Sequence, residues 1–142
     1  MNKAPSAALS HIRIGWWMVV FFATIGLILE ALHGFKIPFY LDVDAEPRRL
    51  VWTLAHAHGV LLGVVQIALG LTQKNLEITW SRTWMMTSIS SSLLVPIGFF
   101  LGGFGIAGGD PGPGILLVPV AALAVIASFG TFARRVSVAT RQ

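Results

Sequence analysis

Four long hydrophobic segments alternate with short polar connections along the chain. They run from about Ile14 to His33, Leu50 to Leu71, Trp84 to Phe104 and Ile115 to Ala133. Each has roughly the 20 residues that a helix needs to cross the hydrocarbon core of a bilayer. The pattern therefore predicts four membrane-spanning helices in one domain, residues 1–142. The first segment is too long for a cleaved signal peptide, so we expect it to be a retained helix.

The composition favours the same architecture. Hydrophobic residues make up 55% of the chain and charged residues 11%, whereas about a quarter of a typical soluble domain is charged. The chain contains no cysteine, which excludes disulfides, thiolate metal sites, iron–sulfur clusters and covalently attached c-type haem. We therefore expect an all-α integral membrane four-helix bundle whose partner is the lipid bilayer and not nucleic acid.

The basic residues lie mainly at one end of the predicted bundle. Seven flank the termini and the second connection: Lys3, Arg13, Lys74, Arg82, Arg134, Arg135 and Arg141. The first connection contains the other three, Lys36, Arg48 and Arg49. Because cytoplasmic loops carry an excess of Lys and Arg, we predict that both termini are cytoplasmic. The expected location is the bacterial inner (cytoplasmic) membrane.

The prolines and glycines predict where helices are interrupted. Pro38 and Pro47 argue against continuous helix in the first connection, between residues 36 and 49. The third connection, residues 108–114, is rich in glycine and proline and predicts a rigid, non-helical turn. Pro96 and Pro119 fall inside the third and fourth spans, where we expect kinks.

Four ionisable side chains lie within predicted spans: Glu30, His33, His56 and His58. Placing an ionisable side chain in the apolar part of a bilayer costs free energy, so each of the four is a candidate functional residue. The first helix ends, and the second begins, at the non-cytoplasmic side, and we therefore expect all four groups in one layer near that face. His11 precedes the first predicted span, and we expect it to be solvated.

Helical geometry predicts which faces meet. Glu30 and His33 are three residues apart and share a face. On the second helix, one stripe carries His56, Gly59, Gly63, Gln66 and Gly70. We expect these two faces to pack together, while His58 points elsewhere. The spacing Gly59-x-x-x-Gly63 lets membrane helices approach closely, and it serves either internal packing or dimerisation.

Several of these features also have purely structural interpretations. A Glu–His pair can be a hydrogen bond that joins two helices without a ligand. For His58, a contact with a third helix or a lipid headgroup is the structural alternative. The group Ser88, Ser90, Ser91 and Ser92 is typical of helix packing, as is the pair Met85 and Met86.

The stretch from His56 to Gly63, His-Ala-His-Gly-Val-Leu-Leu-Gly, resembles the H-x-H-x-x-x-L-G motif of haem–copper oxidase subunit I. It is also similar to small membrane proteins with a four-helix core that share this stretch. The resemblance implies that His56 or His58 is an axial ligand of a b- or a-type haem. The third and fourth spans contain no histidine, so the remaining haem and copper ligands of that family have no counterparts. We do not expect dioxygen reduction by this chain.

The resemblance and the polar layer lead to a concrete hypothesis for a haem site. His33 and His56, with His58 as a substitute, would be axial ligands of haem b. Glu30 would orient an imidazole. The outer residues Arg48, Arg49 and Trp52 would bind the propionates through charge-assisted hydrogen bonds.

A second form of the hypothesis replaces haem with a single transition metal ion, Cu, Zn or Fe. Its ligands would be Glu30, His33 and either His56 or His58. In both forms the chain is an accessory to an electron-transfer complex, acting as a homo-oligomer or within a larger membrane assembly. The alternatives are a proton-relay or transport subunit, and a structural or assembly protein without a cofactor. An enzyme acting alone is the least favoured class.

Overall fold

The computed structural model describes residues 6–105 and 109–141, and most of them are helical. The elements are α1 (Ser6–Gly34), the short α2 (Pro38–Leu41), α3 (Glu46–Asn75), α4 (Arg82–Gly102) and α5 (Leu117–Ala139). One-turn 3-10 helices cover Val43–Ala45 and Pro113–Leu116. Four of the helical segments are long and apolar enough to span a membrane. The protein is an all-α integral membrane four-helix bundle, as the hydrophobic pattern predicts.

The helices follow one another around the bundle in an up-and-down order. The start of α1 lies beside the end of α3, since Ala8 is next to Gly70, whereas Gly26 lies beside His56. The end of α4 in turn packs on the start of α5, where Gly98 contacts Val118. Helix α3 also packs against α4. Both ends of the described chain therefore lie at the same end of the bundle.

Helices α1 and α3 form the closest pair. On α1 the buried residues recur at alternating spacings of three and four: Ala8, His11, Gly15, Met18 and Phe22. This spacing places them along one seam of a helix. A Cβ atom added to Gly15 would lie 2.6 Å from the Gly63 carbonyl oxygen, so the two backbones touch. The predicted glycine stripe of the second span therefore packs on α1, and Gly59-x-x-x-Gly63 is used inside the bundle.

All four long helices contribute to the apolar core. The central cluster combines Met18 and Phe22 of α1 with Leu62 of α3, Val95 of α4 and Ala121 of α5. Further clusters lie toward the two ends of the bundle, one around Trp52 and one around Trp80. The interior formed by these clusters is closely packed, and close packing holds the polar side chains of the core in defined positions.

Two prolines of the first connection begin helices. Pro38 occupies the first turn of α2, and Pro47 occupies the first turn of α3. Proline suits this position because its missing N–H has no intrahelical partner there. The predicted absence of continuous helix is correct for the region around Asp42, but α3 begins at Glu46, four residues before the predicted start. Pro96 lies inside α4 as predicted.

The structure also bears on the two other expected interruptions. Pro119 is the third residue of α5, where its missing N–H has no intrahelical partner to lose. In the third connection, Gly112 donates to the Gly102 carbonyl at 2.8 Å, which confirms a non-helical turn at that point. Pro113 nevertheless begins a 3-10 helix. Gly108, the first residue of the predicted turn, lies outside the described residues.

Candidate functional site

His56 is placed by α3 in the interface with α1. Its imidazole lies directly over Gly26, and a Cβ atom at Gly26 would collide with the ring. The Nδ1 atom is 2.7 Å from the Phe22 carbonyl oxygen. Since a carbonyl oxygen can only accept, Nδ1 carries the proton, and in the neutral ring the lone pair lies on Nε2.

His58 points away from His56, as the helical spacing predicts. Its ring centroid is 5.0 Å from that of Phe99 on α4. Its Nδ1 donates to the Leu54 carbonyl at 2.9 Å, so this imidazole has the same tautomer as His56. Both rings are half-buried, and neither Nε2 belongs to the buried atoms that lack a partner. Within the described residues, neither Nε2 makes a hydrogen bond, and neither is completely enclosed.

Glu30 and His33 lie on the exposed side of α1. Gly26, which contacts His56, is buried, whereas Glu30 and His33, predicted to face the second helix, are not. Glu30 lies four residues beyond Gly26 and His33 lies seven beyond it, about 6 and 10 Å farther along the helix axis. In the described part of the chain, no three His, Asp or Glu side chains are grouped so that they could bind one metal ion.

Arg48 and Trp52 lie together at the predicted outer end of the bundle, where they hold neighbouring segments. The Arg48 guanidinium lies 4.0 Å from the centroid of the Phe39 ring and donates to the carbonyl oxygens of Phe39, at 2.6 Å, and Gly103, at 3.2 Å. Trp52 Nε1 donates to the Phe100 carbonyl at 3.0 Å. These donors, predicted to bind propionates, stabilise the first connection and the end of α4.

Arg49 has a similar structural contact. Its Nη1 donates to the carbonyl oxygens of Tyr40 and Asp42, both at 3.0 Å. The short helix α2 is thereby attached to the first turns of α3. The three outer residues Arg48, Arg49 and Trp52 thus sit at one end of the bundle, and each uses a side-chain donor within the protein.

A second polar group lies at the opposite end of the bundle, and sequence reasoning missed it. His11, Gln66, Ser88 and Ser92 are all fully buried. His11 Nδ1 donates to Gln66 Oε1. Gln66 Nε2 donates to the hydroxyl groups of Ser88, at 3.0 Å, and Ser92, at 2.8 Å. We refer to these four residues as the inner polar network, which connects α1, α3 and α4.

The prediction that His11 is solvated is wrong. Helix α1 begins at Ser6, eight residues earlier than the predicted span, and carries His11 along its buried seam. The ring stacks on Trp80, with centroids 5.7 Å apart. Burial is tolerated because Gln66 provides an acceptor for Nδ1. The sequence feature that indicates this burial is the three- and four-residue spacing of the buried seam, which continues back from Gly15 through His11 to Ala8.

Some polar atoms near this end are buried without a hydrogen-bond partner. They are His11 Nε2, Trp80 Nε1 and both amide atoms of Gln73. Gln73 lies two turns beyond Gln66 on the same face of α3. The two buried glutamines therefore differ: Gln66 connects three helices, whereas the Gln73 amide has no hydrogen-bond partner among the described residues.

The remaining serines and the methionine pair have ordinary surroundings. Ser91 donates to the Thr87 carbonyl within its own helix at 2.7 Å, and Ser90 is exposed. Met85 is half-buried and Met86 is exposed. The packing interpretation of the serine group is correct for Ser91, whereas Ser88 and Ser92 belong to the inner polar network.

No protein-family model matches the chain, and no similar protein was found among curated proteins or solved structures. The functional interpretation therefore rests on the residues and their geometry.

Proposed function

We propose that this protein presents His56, with His58 as the second candidate, as a ligand for haem b or for a single Cu, Zn or Fe ion in the membrane. In this role it is an accessory to an electron-transfer complex, and a bound haem would supply one-electron redox chemistry. We further propose that it resides in the bacterial cytoplasmic membrane.

The observation that carries the proposal is that the two imidazoles have the same tautomer. In both His56 and His58, Nδ1–H is held by a main-chain carbonyl, and within the described residues Nε2 makes no hydrogen bond and is not completely enclosed. Metal-ligating histidines usually donate their other ring N–H in this way, which fixes the tautomer and raises the basicity of the ligand.

His56 is the preferred ligand because a second helix holds it. Its ring is fixed by the Phe22 carbonyl and by the space above Gly26, both on α1, whereas the hydrogen bond of the His58 ring is to its own helix. A ligand held by a neighbouring element keeps its geometry better than one held locally.

The second axial bond, or the remaining metal ligands, would come from a second copy of the chain or from a partner subunit. Glu30 and His33 are exposed on α1, on a side that is open to another protein. A homo-oligomer or a larger membrane complex is therefore part of the proposal.

A proton-relay or transport subunit is the second candidate, and the inner polar network favours it. His11, Gln66 and the two serines form a continuous hydrogen-bonded chain. Intramembrane histidines commonly mark such relays. The same network would equally serve a structural or assembly protein, in which it only joins three helices.

Absorption spectroscopy and metal analysis of the purified protein test the leading proposal. Protein extracted in mild detergent should show a Soret band, or should contain a stoichiometric transition metal. Haemin or metal ions added to cofactor-free protein should restore the Soret band or the bound metal. A protein that stays colourless and metal-free after both additions contradicts the proposal and leaves the relay and structural candidates.

The proposed orientation has its own test. A cysteine placed at Asp44, in the exposed first connection, should react with an impermeant thiol reagent added to intact cells. A cysteine at Thr140, at the end of α5, should be protected until the membrane is permeabilised, because the basic residues concentrate at that end. The chain has no native cysteine, so no native thiol contributes to the labelling. The reverse pattern of labelling would invert the topology.

A further inference from the structure

A cavity of about 570 Å³ opens at the end of the bundle that carries most basic residues. Residues 76–79, which connect α3 to α4, form one wall, and the last turns of α5 form the other. Arg134 and Arg135 of α5 are among the residues that line the cavity. A neighbouring cleft of about 460 Å³ shares Arg134 and is also lined by Arg141.

The arginines of this cavity have no partner in the described part of the chain. Both Arg134 and Arg135 are exposed, and no hydrogen bond or ion pair engages either of them. They differ in this from Arg48 and Arg49, whose guanidinium groups are bonded to main-chain carbonyls. Glu77 is the one acidic residue of the lining, so the cavity has an excess of positive charge.

The cavity rests on a well-packed base. Ile78, which lines it, belongs to a buried cluster with Leu69, Trp80 and Phe132. Backbone N–H of Ile78 is bonded to the Gln73 carbonyl at 3.1 Å. The connection and α5 are thereby held in fixed relative positions, and the two arginines share a preformed opening.

The outward surface of α5, on the membrane side of this cavity, suits lipid chains. This helix packs mainly on α4, and its outward side exposes Val120, Leu123 and Ile126, each by about two thirds or more. A molecule with an anionic head in the cavity can therefore lay its hydrocarbon chains along the same helix.

We propose that this cavity binds the phosphate headgroup of an anionic phospholipid. Guanidinium groups bind phosphate oxygens through paired, charge-assisted hydrogen bonds. Basic recesses between helices on the cytoplasmic side are suited to anionic lipid headgroups, and the charge distribution predicts that this end is cytoplasmic. The site is separate from the histidines and does not depend on their role.

The test uses the full-length protein in a neutral detergent, titrated with short-chain phosphatidylglycerol while thermal unfolding is followed. Phosphatidylglycerol should raise the melting temperature, and phosphatidylcholine with the same acyl chains should not. Glycerol phosphate, the soluble headgroup alone, should act only at much higher concentration. Each of Arg134→Gln and Arg135→Gln should weaken lipid binding about fivefold, as expected for one basic residue at an anionic surface.

Matched variants separate a site from general charge attraction. Arg82→Gln removes an exposed arginine from the same end of the bundle, outside the cavity, and should leave binding unchanged. Glu77→Gln should strengthen it. Equal weakening by Arg82→Gln, or equal stabilisation by phosphatidylcholine, would overturn the proposal. Glycerol phosphate acting as well as the lipid would show a soluble-anion site instead.

Discussion

The variant His56→Asn should lose the bound cofactor while the bundle stays folded. Asparagine can still donate to the Phe22 carbonyl, the partner of Nδ1 in the native structure, but it has no counterpart of Nε2. Loss of that lone pair removes the bond to iron or to the metal ion, so we expect no Soret band and no bound metal. Absorption spectra, metal analysis and melting temperature are measured on the same sample.

Four further variants make this prediction specific. Gly26→Ala should weaken cofactor binding about 10–100-fold, the usual effect of disturbing a group that orients a ligand, because the added Cβ displaces the His56 ring. Both Glu30 and His33 are exposed on α1, so Glu30→Gln and His33→Asn should lose the cofactor where a second copy of the chain supplies the remaining ligands and should retain it where a partner subunit does. Loss of the cofactor in His58→Asn, with retention in His56→Asn, would assign the ligand to the other face of α3.

Removal of the amide at Gln66 should cause the largest loss of stability among the polar substitutions. In Gln66→Leu, the buried Nδ1–H of His11 loses its acceptor, and an unsatisfied buried donor costs about 1–3 kcal/mol. The bonds to Ser88 and Ser92 are lost as well, although single interhelical hydrogen bonds in membranes average only about 0.6 kcal/mol. We expect the free energy of unfolding in detergent to fall by about 2 kcal/mol.

Gln73→Leu is the matched control, because Gln73 is buried on the same face of α3 without a hydrogen-bond partner. Replacing an unpaired buried amide with an apolar group of similar size should be neutral or stabilising. Equal destabilisation by the two substitutions would mean that Gln73 also has a polar partner, such as a buried water. If Gln66→Leu is as stable as the native protein, the inner polar network does not contribute to the stability of the α1–α3 contact.

Much of the histidine geometry followed from helical spacing alone. His56 and His58 are two residues apart, and they do point to different neighbours, α1 and α4. The stripe of Gly59, Gly63 and Gly70 meets α1, as its small residues predict. Spacing of this kind is reliable because the angle per residue hardly varies within a membrane helix.

Spacing could not predict which residues of α1 oppose that stripe. The angle between two residues on one helix says nothing about the height at which a second helix meets them. That height depends on the first connection, where α2 is bonded to Arg48 and Arg49. As a result, Gly26 lies opposite His56, and the exposed Glu30 is about one turn farther along α1.

Hydrophobic patterning was enough to predict the number of long helices, their up-and-down order and the glycine face of α3. These features depend on local hydrophobicity and on the need of a chain in lipid to satisfy its own backbone hydrogen bonds. The burial of His11 against Gln66 became visible only in the folded bundle, as did the bonding of Arg48 and Arg49, in contrast to Arg134 and Arg135, which have no partner among the described residues. Those outcomes depend on which side chains from different helices reach the same point, and that is set by packing between helices.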